Sequence, residues 1–560
     1  MSGLARSIPH GLRRLLLILP LCAQGAWGSE GGYPGLLDLF EDWRAFEKPP
    51  LLEGAPDYRA ETFAQRQAGL EALQGRLHAL EIESWPIEQQ VDWHLVRAEM
   101  NGMLFNIRVL QPWARDPAFY ASVWTFESDT PTHEGPNHHA LVELWTYDFP
   151  LSAEAQASLA SELRSIPPLL RQARGNLTGN ARELWEGGIR NLEQQAEALA
   201  GLAVQANATG EDLRSAIGEA RAATEAFIAW LRAQAGSKTG PSGIGKSYYT
   251  WHLRNVHLVP LSWEDEVSLL QRELDRAHAT LALEEHRNSA LPPLLPIASE
   301  EAYATRAETA LRQFVRFLDE QSVLPPYDYI EPALRAQMGT YVPPESRNFF
   351  ATVSHYEPLA LWTHWYHWFD LARIKSQPHP SPVRRGALLY NIFDSRSEGM
   401  ATGFEEMAMH AGLFDANQRA RELVYVMLAQ RAARGLGSLR AHANHYSLKQ
   451  ARDFHVAWTP RGWMREDLDL LGFEQLLYLR QPGYGTSYVS GKYLIERLLA
   501  ERSRQLGTAF TLAGFFREID EAGVIPVAML RWQLTGKDDE VRALMDADST
   551  AWPGPESVDD

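Results

Sequence analysis

The sequence predicts a mainly α-helical fold, built as a large multi-helix body. Apolar residues recur at intervals of three and four over long segments, whereas alternation with a period of two is scarce. Segments rich in proline and glycine separate these stretches, as loops separate helices. Together these observations favour helices packed on helices over a sheet-based fold.

Apolar stripes mark individual helices in both halves of the chain. A residue at every third or fourth position lies on one helix face, which can then pack against a core. The clearest stripes are Leu70, Leu73, Leu77 and Leu80; Val267, Leu270, Leu274, Ala277 and Leu281; and Ala307, Leu311, Phe314 and Leu318.

Domain organisation follows from the same pattern, which shows no fixed-period repeat and no low-complexity tract. We therefore expect a single large helical domain over residues 29–550, with a subdivision near 236–247 as the alternative. A short strand or hairpin is expected within "GTYVPPESRNFFATV", residues 339–353.

Charge restricts the classes of partner. The 560 residues carry a formal net charge of −18, and the body of the chain has no basic cluster. An acidic surface repels a phosphate backbone, so we expect no nucleic-acid partner.

The N-terminal segment resembles an export signal. Arg13 and Arg14 precede the apolar run "LLLILPLCA", and "AWG" follows it. A basic start, a short apolar core and a small-x-small site predict a signal peptide over residues 1–28. The run is too short for a permanent span. The alternative is a buried first helix.

Cysteine usage supports a simple mature protein. The only cysteine, Cys22, lies inside the predicted signal, and Leu21 before it is not the small residue that lipid attachment requires. We expect a mature protein without disulfides or a stable membrane anchor, located in the periplasm or secreted.

The segment "GPSGIGKS", residues 240–247, matches the spacing of a phosphate-binding P-loop. The match requires a strand before the loop. Instead, Ala216, Ala220, Phe227 and Trp230 predict a helix there. We interpret this P-loop-like segment as an interhelical loop and expect no nucleotide ligand.

A polar segment, "THEGPNHH" at residues 132–139, offers three histidines and a glutamate as metal ligands. Pro136 interrupts it, so one helix cannot present all four side chains. A solvated loop is the simpler interpretation, and a rim of the functional site is the alternative.

The richest constellation is "SHYEPLALWTHWYHWFDLARI", which contains His355, Glu357, His364, His367 and Asp370. On a helix, the last three share one broad face. Buried polar groups among tryptophans require partners, either a metal ion or one another.

A following helix supplies carboxylates. In "SRSEGMATGFEEMAMHAG", Glu398 and Glu405 lie on one helix face. Histidine ligands on one helix and a carboxylate ligand on the next are the layout of gluzincin metallopeptidases. A hydrogen-bonded polar cluster in a helical core is the alternative. Further along, His442 in "LRAHANHYS" and Tyr488 in "QPGYGTSYVSGK" are of the types that stabilise an oxyanion.

These motifs, in this order, resemble the bacterial domain of unknown function 885 over roughly residues 33–545. The similar stretches include "ARDPAFY", "SIPPLLRQARGNL", "GIGKSYYTWHL", "SEGMATGFEEMAMHAGLF" and "QPGYGTSYVSGK". The resemblance implies an exported, helical protein related to zinc metallopeptidases, and it accounts for the P-loop-like segment without a nucleotide.

The chain departs from the hallmark of that family, H-E-x-x-P-G-H-H. The hallmark falls on "HWYHWFDL", where His364 is kept but Trp365 replaces the glutamate and Asp370 replaces a histidine. The usual general base is therefore missing. Asp370, Glu357 or Glu405 replaces it, or the peptidase chemistry is lost.

We thus expect an exported zinc-dependent hydrolase of peptide or other amide substrates, with its site in a deep interhelical cleft. The alternative is a non-catalytic binding protein that retains the cleft. The expected metal ligands are His364, His367 and Glu398. The expected catalytic residues are Asp370 or Glu405 for water activation and His442 and Tyr488 for the oxyanion.

Overall fold

The computed structural model describes residues 32–130, 139–206, 210–391 and 393–554. The predicted signal peptide and the "THEGPNHH" segment up to His138 lie outside these residues. Within them, the chain is mainly helical, as expected.

The N-terminal half contains nine helices in the described residues: α1 Tyr33–Phe46, α2 Ala60–His78, α3 Ile87–Phe105, α4 Pro112–Arg115, α5 Ala153–Leu163, α6 Ile166–Asn176, α7 Arg182–Gln205, α8 Glu211–Ala235 and α9 Lys246–Asn255. A π-helix, Asn106–Leu110, extends α3. The strands are two residues long: β1 Leu51–Leu52 pairs antiparallel with β2 Ala55–Pro56, and β3 Val123–Trp124 pairs parallel with β4 Val142–Glu143.

The second half continues with helices α10 Trp263–Arg287, α11 Glu300–Glu320, α12 Ile330–Ala336, α13 Phe349–Tyr356, α14 Pro358–Trp362, α15 Tyr366–Ser376, α16 Asp394–His410, α17 Ala420–His442, α18 Leu448–Trp458, α19 Asp469–Arg480, α20 Tyr484–Leu506, α21 Leu512–Ala522, α22 Val527–Thr535, α23 Asp539–Met545 and α24 Ala547–Thr550. Short 3₁₀ turns join several of them, including Thr363–Trp365 between α14 and α15.

The apolar stripes form the core, as predicted. Leu70, Leu73 and Leu77 of α2 are buried, the stripe of α11 is buried likewise, and that of α10 is buried except for Val267, which is partly buried. A continuous cluster of buried apolar side chains extends from α1 to α23. No helix in the described ranges has both the length and the apolar character needed to cross a membrane.

Helix α17 lies at the centre of the second half and is buried on nearly every face. It packs against α10, α18 and α20, while α20 in turn packs along α16. Because α17 also carries the charged residues Arg431 and Arg434, both almost fully buried, it brings charge into the core. Such groups require carboxylate partners, which α16 and α19 supply through Glu405 and Glu474.

The prediction of a strand or hairpin within residues 339–353 is wrong. The segment forms a loop, a 3₁₀ turn at Pro344–Ser346 and the start of α13. Proline lacks the N–H that a strand ladder needs. The side chain of Asn348 caps α13 by accepting a hydrogen bond from Ala351 N, and His355 Nε2 accepts one from Val342 N. The polar backbone is thus satisfied without a strand.

Candidate metal centre

The three predicted metal ligands converge. Glu398 Oε2 lies 3.0 Å from His367 Nε2 and 3.5 Å from His364 Nε2. His364 belongs to the 3₁₀ turn before α15, His367 to the first turn of α15, and Glu398 to α16. His367 and Glu398 are almost fully buried. Within the described ranges, this is the group of such side chains placed to hold a metal ion.

The spacing of the ligand atoms fits a metal centre. On a tetrahedral zinc ion with ligand distances of about 2.0–2.1 Å, two ligand atoms lie roughly 3.3 Å apart. The separations of 3.0 and 3.5 Å bracket that value. Two imidazoles and one carboxylate are also the donor set of a catalytic zinc site that leaves a fourth position open. The residues therefore fit the group that the resemblance implies.

Glu405 lies behind His364. Its Oε1 lies 3.0 Å from His364 Nδ1, on the opposite side of the ring from Glu398. Arg431 holds this carboxylate at both oxygens, with Nη1 donating to Oε2 at 2.7 Å and Nη2 lying 2.7 Å from Oε1. A carboxylate behind a ligating histidine is a recurring feature of metal sites. Because Arg431 occupies Glu405, the predicted role of Glu405 in water activation gains no support.

Tyr484 and Tyr488 line the cluster from α20. The Tyr484 hydroxyl donates to Glu398 Oε1 at 2.5 Å, so both oxygens of Glu398 are engaged. The Tyr488 ring lies parallel to that of His364, with ring centroids 6.1 Å apart. The guanidinium of Arg434 lies over the Tyr488 ring, 3.8 Å from its centroid. Tyr488, predicted to act at the site, is thus adjacent to a ligand.

Asp370 lies on α15, as His367 does, but it pairs with an arginine. Arg396 donates to its two carboxylate oxygens at 3.0 and 3.1 Å, and both side chains are buried. Glu357, another proposed substitute for the missing base, pairs with Arg306 and Asn417. Each carboxylate is therefore engaged by a neighbouring guanidinium rather than by one of the three metal ligands.

His442 is not brought to the cluster by any contact in the described chain. Its Nε2 lies 2.9 Å from the carbonyl oxygen of Tyr478, and its ring packs against Tyr249. Burial lowers its pKa to about 4. No contact in the described residues therefore supports the prediction that His442 stabilises an oxyanion beside the metal ligands.

Asp129 is the charged residue that sequence reasoning missed. Its carboxylate interacts electrostatically with His367, Glu398 and His364, and burial raises its pKa. Its Oδ1 is shielded from solvent and has no hydrogen-bond partner within the part of the chain described. The only signal in the sequence is its place three residues before the "THEGPNHH" segment. His139 of that segment lies elsewhere, with its N–H bonded to Tyr58.

The electrostatics couple the cluster into one unit. Burial alone would lower the pKa of His367, but the carboxylates of Glu398 and Asp129 outweigh it and raise that pKa to about 9. Burial alone would raise the pKa of Glu398, but His367 and His364 hold it well below its ordinary value. Without a metal ion, the same atoms therefore form a buried ion pair.

The P-loop-like segment packs within the protein. The N–H of Gly243 bonds Asn444 Oδ1, and that of Gly245 bonds the carbonyl oxygen of His442. A Cβ at Gly243 would lie 2.4 Å from the carbonyl oxygen of Ala441. The preceding element is helix α8, as predicted, and α9 begins at Lys246. Glycine here permits close packing, and at these two positions the amides are already used.

Comparison with known proteins finds one matching family and structures with a similar fold. The profile of the family described as "Bacterial protein of unknown function (DUF885)" matches residues 52–338, which end before His364. A "putative lipoprotein of unknown function" from Shewanella oneidensis has a similar structure, with a TM-score of 0.66 and 16% identity. The match covers 90% of this chain and 100% of that one.

A second similar structure is a "putative lipoprotein" from Colwellia psychrerythraea, with a TM-score of 0.60 and 14% identity over 90% of this chain and 97% of that one. At such identities the likeness shows the fold alone. No curated protein matches the chain.

Proposed function

The chain belongs to the DUF885 family of bacterial proteins, and from this premise we propose that it is a metal-dependent hydrolase of peptide or other amide substrates. The single observation that carries the proposal is the convergence of His364, His367 and Glu398 at spacings that suit zinc. We also propose that the family relationship to zinc metallopeptidases extends to this chain, in a form with a degenerate hallmark.

Two of the three ligands in this proposal have a neighbouring side chain that supports them. Glu405, held by Arg431, lies behind His364. Tyr484 fixes Glu398 from the far side. His364, His367 and Glu398 would hold the zinc ion, which would lower the pKa of a bound water and polarise the scissile carbonyl. Supported ligands of this kind distinguish a binding site from an accidental cluster.

The general base in this proposal is Asp129. The carboxylates suggested by the sequence, Asp370 and Glu405, are held by arginines. Asp129 Oδ1 accepts the proton of the attacking water and returns it to the leaving amine, while the water oxygen bonds to the carbonyl carbon and the C–N bond breaks. Tyr488, which lies beside His364, lines the position of the developing oxyanion.

A second candidate function is supported by Trp365. This residue occupies the position at which the resemblance requires a glutamate, and its ring stacks on Trp362 with centroids 4.9 Å apart. A protein that has lost the general base and closes the cluster as an ion pair would bind a ligand without transforming it.

Metal analysis and a peptide digest separate the two functions. Purified mature protein is analysed for stoichiometric zinc and then incubated with a mixed peptide library, with and without chelator. The hydrolase proposal expects bound zinc and chelator-sensitive cleavage that is lost in His364→Ala and Asp129→Asn. Absence of both zinc and cleavage in protein that retains its fold favours the binding function.

We further propose that the protein is exported and free of a lipid anchor. The support is the sequence of residues 1–28, which lie outside the described structure. The two similar structures belong to proteins named as lipoproteins, so the alternative is lipid attachment at Cys22. N-terminal sequencing of exported protein is expected to begin near Ser29, and a lipid-modified Cys22 contradicts this.

A further inference from the structure

A cavity of ≈ 90 Å³ lies between the two halves of the chain. Its walls come from the π-helix that follows α3, from α4 and α9, from the first residue of α16 and from the turn between α19 and α20. π-helical segments occur frequently at functional sites. At about 10–15 Å³ for each water-sized occupant, the cavity holds roughly six to nine non-hydrogen atoms.

Two motifs of the sequence meet at this cavity. Arg115 and Asp116 belong to the "ARDPAFY" turn, and Arg480 and Tyr484 flank the "QPG" turn. Arg480 Nε donates to Asp116 Oδ2 at 2.6 Å, which joins the two motifs directly. A buried ion pair of this kind fixes the geometry of the cavity wall.

Most charges that line the cavity are neutralised by each other. Asp116 is paired with Arg480, and Asp394 Oδ1 lies 3.0 Å from His257 Nδ1. His257 Nε2 also lies 2.8 Å from the carbonyl oxygen of Pro482. The two pairs leave one permanent charge on the wall, the guanidinium of Arg115.

Arg115 has no carboxylate within ion-pair distance in the described residues. Its guanidinium donates to backbone carbonyl oxygens, at 3.0 Å to Ser242 and at 3.4 and 3.5 Å to Val109 and Leu110. Burial lowers its pKa. Arg115 is half-buried, and a partly desolvated cation that lacks a counter-ion favours an anionic ligand.

His252 adds a polar group to the same wall. The residue is 6% exposed, and its Nδ1 has no hydrogen-bond partner among the described residues. Its ring lies between Phe105 and His257, with centroid distances of 4.5 and 4.7 Å. A buried nitrogen without a partner, on a cavity wall, is a second indication that a polar ligand belongs there.

We propose that this cavity binds the carboxylate of a small ligand through Arg115, and that in the proposed hydrolase the ligand is the C-terminal residue of a peptide. The proposal rests on the proposed function for its substrate, but the cavity's preference for a carboxylate stands on its own walls. Tyr484 connects the two sites, because its ring lines the cavity and its hydroxyl bonds Glu398. Tyr484 therefore lies between a carboxylate bound in this cavity and the metal ligand Glu398.

Binding of short peptides tests this inference in the presence of chelator, so that the metal cluster makes no contribution. The probes are Ala-Ala, its C-terminal amide, acetate and inorganic phosphate, followed by calorimetry and thermal shift. Ala-Ala is expected to bind and to raise the melting temperature, whereas the amide is not. Arg115→Met is expected to weaken Ala-Ala binding by at least about tenfold, the loss of a charge-assisted contact.

The matched control is Arg108→Met, an exposed arginine of the π-helix outside the cavity wall, which is expected to bind Ala-Ala normally. If Arg115→Met fails to fold, Leu110→Trp fills the cavity without changing charge and is expected to abolish binding. Equal binding of the amide, or normal binding by Arg115→Met or Leu110→Trp, overturns the inference. Equally tight binding of acetate or phosphate overturns its peptide part. Ala-Ala binding in a protein that holds no zinc and cleaves nothing refutes the hydrolase alone.

Discussion

Gly399 of α16 and Gly491 of α20 bring two helices into backbone contact beside the candidate metal centre. A Cβ at Gly491 would lie 2.0 Å from the carbonyl oxygen of Ser395, and one at Gly399 would lie 2.5 Å from the Cα of Gly491. The contact sets the separation of Glu398, next to Gly399, from Tyr484 and Tyr488 on α20. The absence of two side chains thus allows the tyrosines to reach the cluster.

Gly491→Ala is expected to destabilise the protein, because the methyl group cannot be accommodated without moving a helix. Overpacking of this kind costs about 1–3 kcal/mol. The matched control is Gly403→Ala on α16, where the nearest atom to a new Cβ is 3.6 Å away. There alanine is expected to stabilise by about 0.5–1 kcal/mol, its advantage over glycine inside a helix. Urea denaturation measures both changes, and equal effects contradict the close-contact argument.

Zinc binding is expected to depend on the three converging side chains. His364→Ala and Glu398→Ala each remove a ligand, so neither variant is expected to hold stoichiometric zinc. Chelator is expected to lower the melting temperature of wild type but not of these variants, because zinc bound to the folded state stabilises it. His442→Gln, a buried histidine away from the cluster, is the control and is expected to retain zinc. Metal analysis after dialysis gives the result. Retention of zinc by His364→Ala contradicts the assignment.

Glu405→Gln tests the support of His364. The variant removes the negative charge behind the ligating ring, so zinc affinity is expected to fall by about 10–100-fold while the site still binds metal. Glu406→Gln is the matched control, since this neighbour on α16 pairs with Arg276 and Lys492 instead. Competition with a chromogenic chelator measures the affinities. Equal affinities in the two variants contradict an orienting role for Glu405.

The sequence predicted what depends on local spacing. The 3.6-residue stripes identified the core faces of α2, α10 and α11, because helix periodicity is a property of neighbouring residues. The meeting of His364 with Glu398 also followed, since they lie on successive helices that must pack somewhere. The approach of Asp129 did not, because it depends on how a loop of the N-terminal half lies against the second half. The surroundings of His442 did not follow either, because its residue type is visible in the sequence but its burial against Tyr249 is not.

The P-loop-like segment is expected not to bind nucleotides. A phosphate site needs free backbone amides, whereas those of Gly243 and Gly245 are bonded within the protein. Lys246 Nζ lies 4.9 Å from the ring centroid of Trp263. ATP or GTP with magnesium is therefore expected to leave the melting temperature unchanged. A rise that disappears in Lys246→Ala contradicts this expectation, because binding to the folded state stabilises it.

The last prediction concerns acid stability. Burial lowers the pKa of His94 to about 3, with Arg97 adding to the effect, and lowers that of His442 to about 4. In the unfolded chain a histidine takes up its proton near pH 6.5. Between that value and the folded pKa only the unfolded state binds the proton, so the contribution of these two histidines to stability is constant above about pH 6.5 and falls as the pH drops towards 4. In that range each such histidine lowers the free energy of unfolding by about 1.4 kcal/mol for each unit by which the pH falls.

His442→Gln isolates one of these contributions. Glutamine keeps a donor for the carbonyl of Tyr478 but takes up no proton when the protein unfolds. Whatever the substitution costs at neutral pH, the variant is expected to gain about 1.4 kcal/mol on wild type for each unit of pH between 6.5 and 4. His286→Gln removes an exposed histidine of α10 and is expected to leave the pH slope of wild type unchanged. Urea unfolding from pH 7.5 to 4.5 gives the slopes, and parallel curves for wild type and His442→Gln contradict a buried, neutral His442.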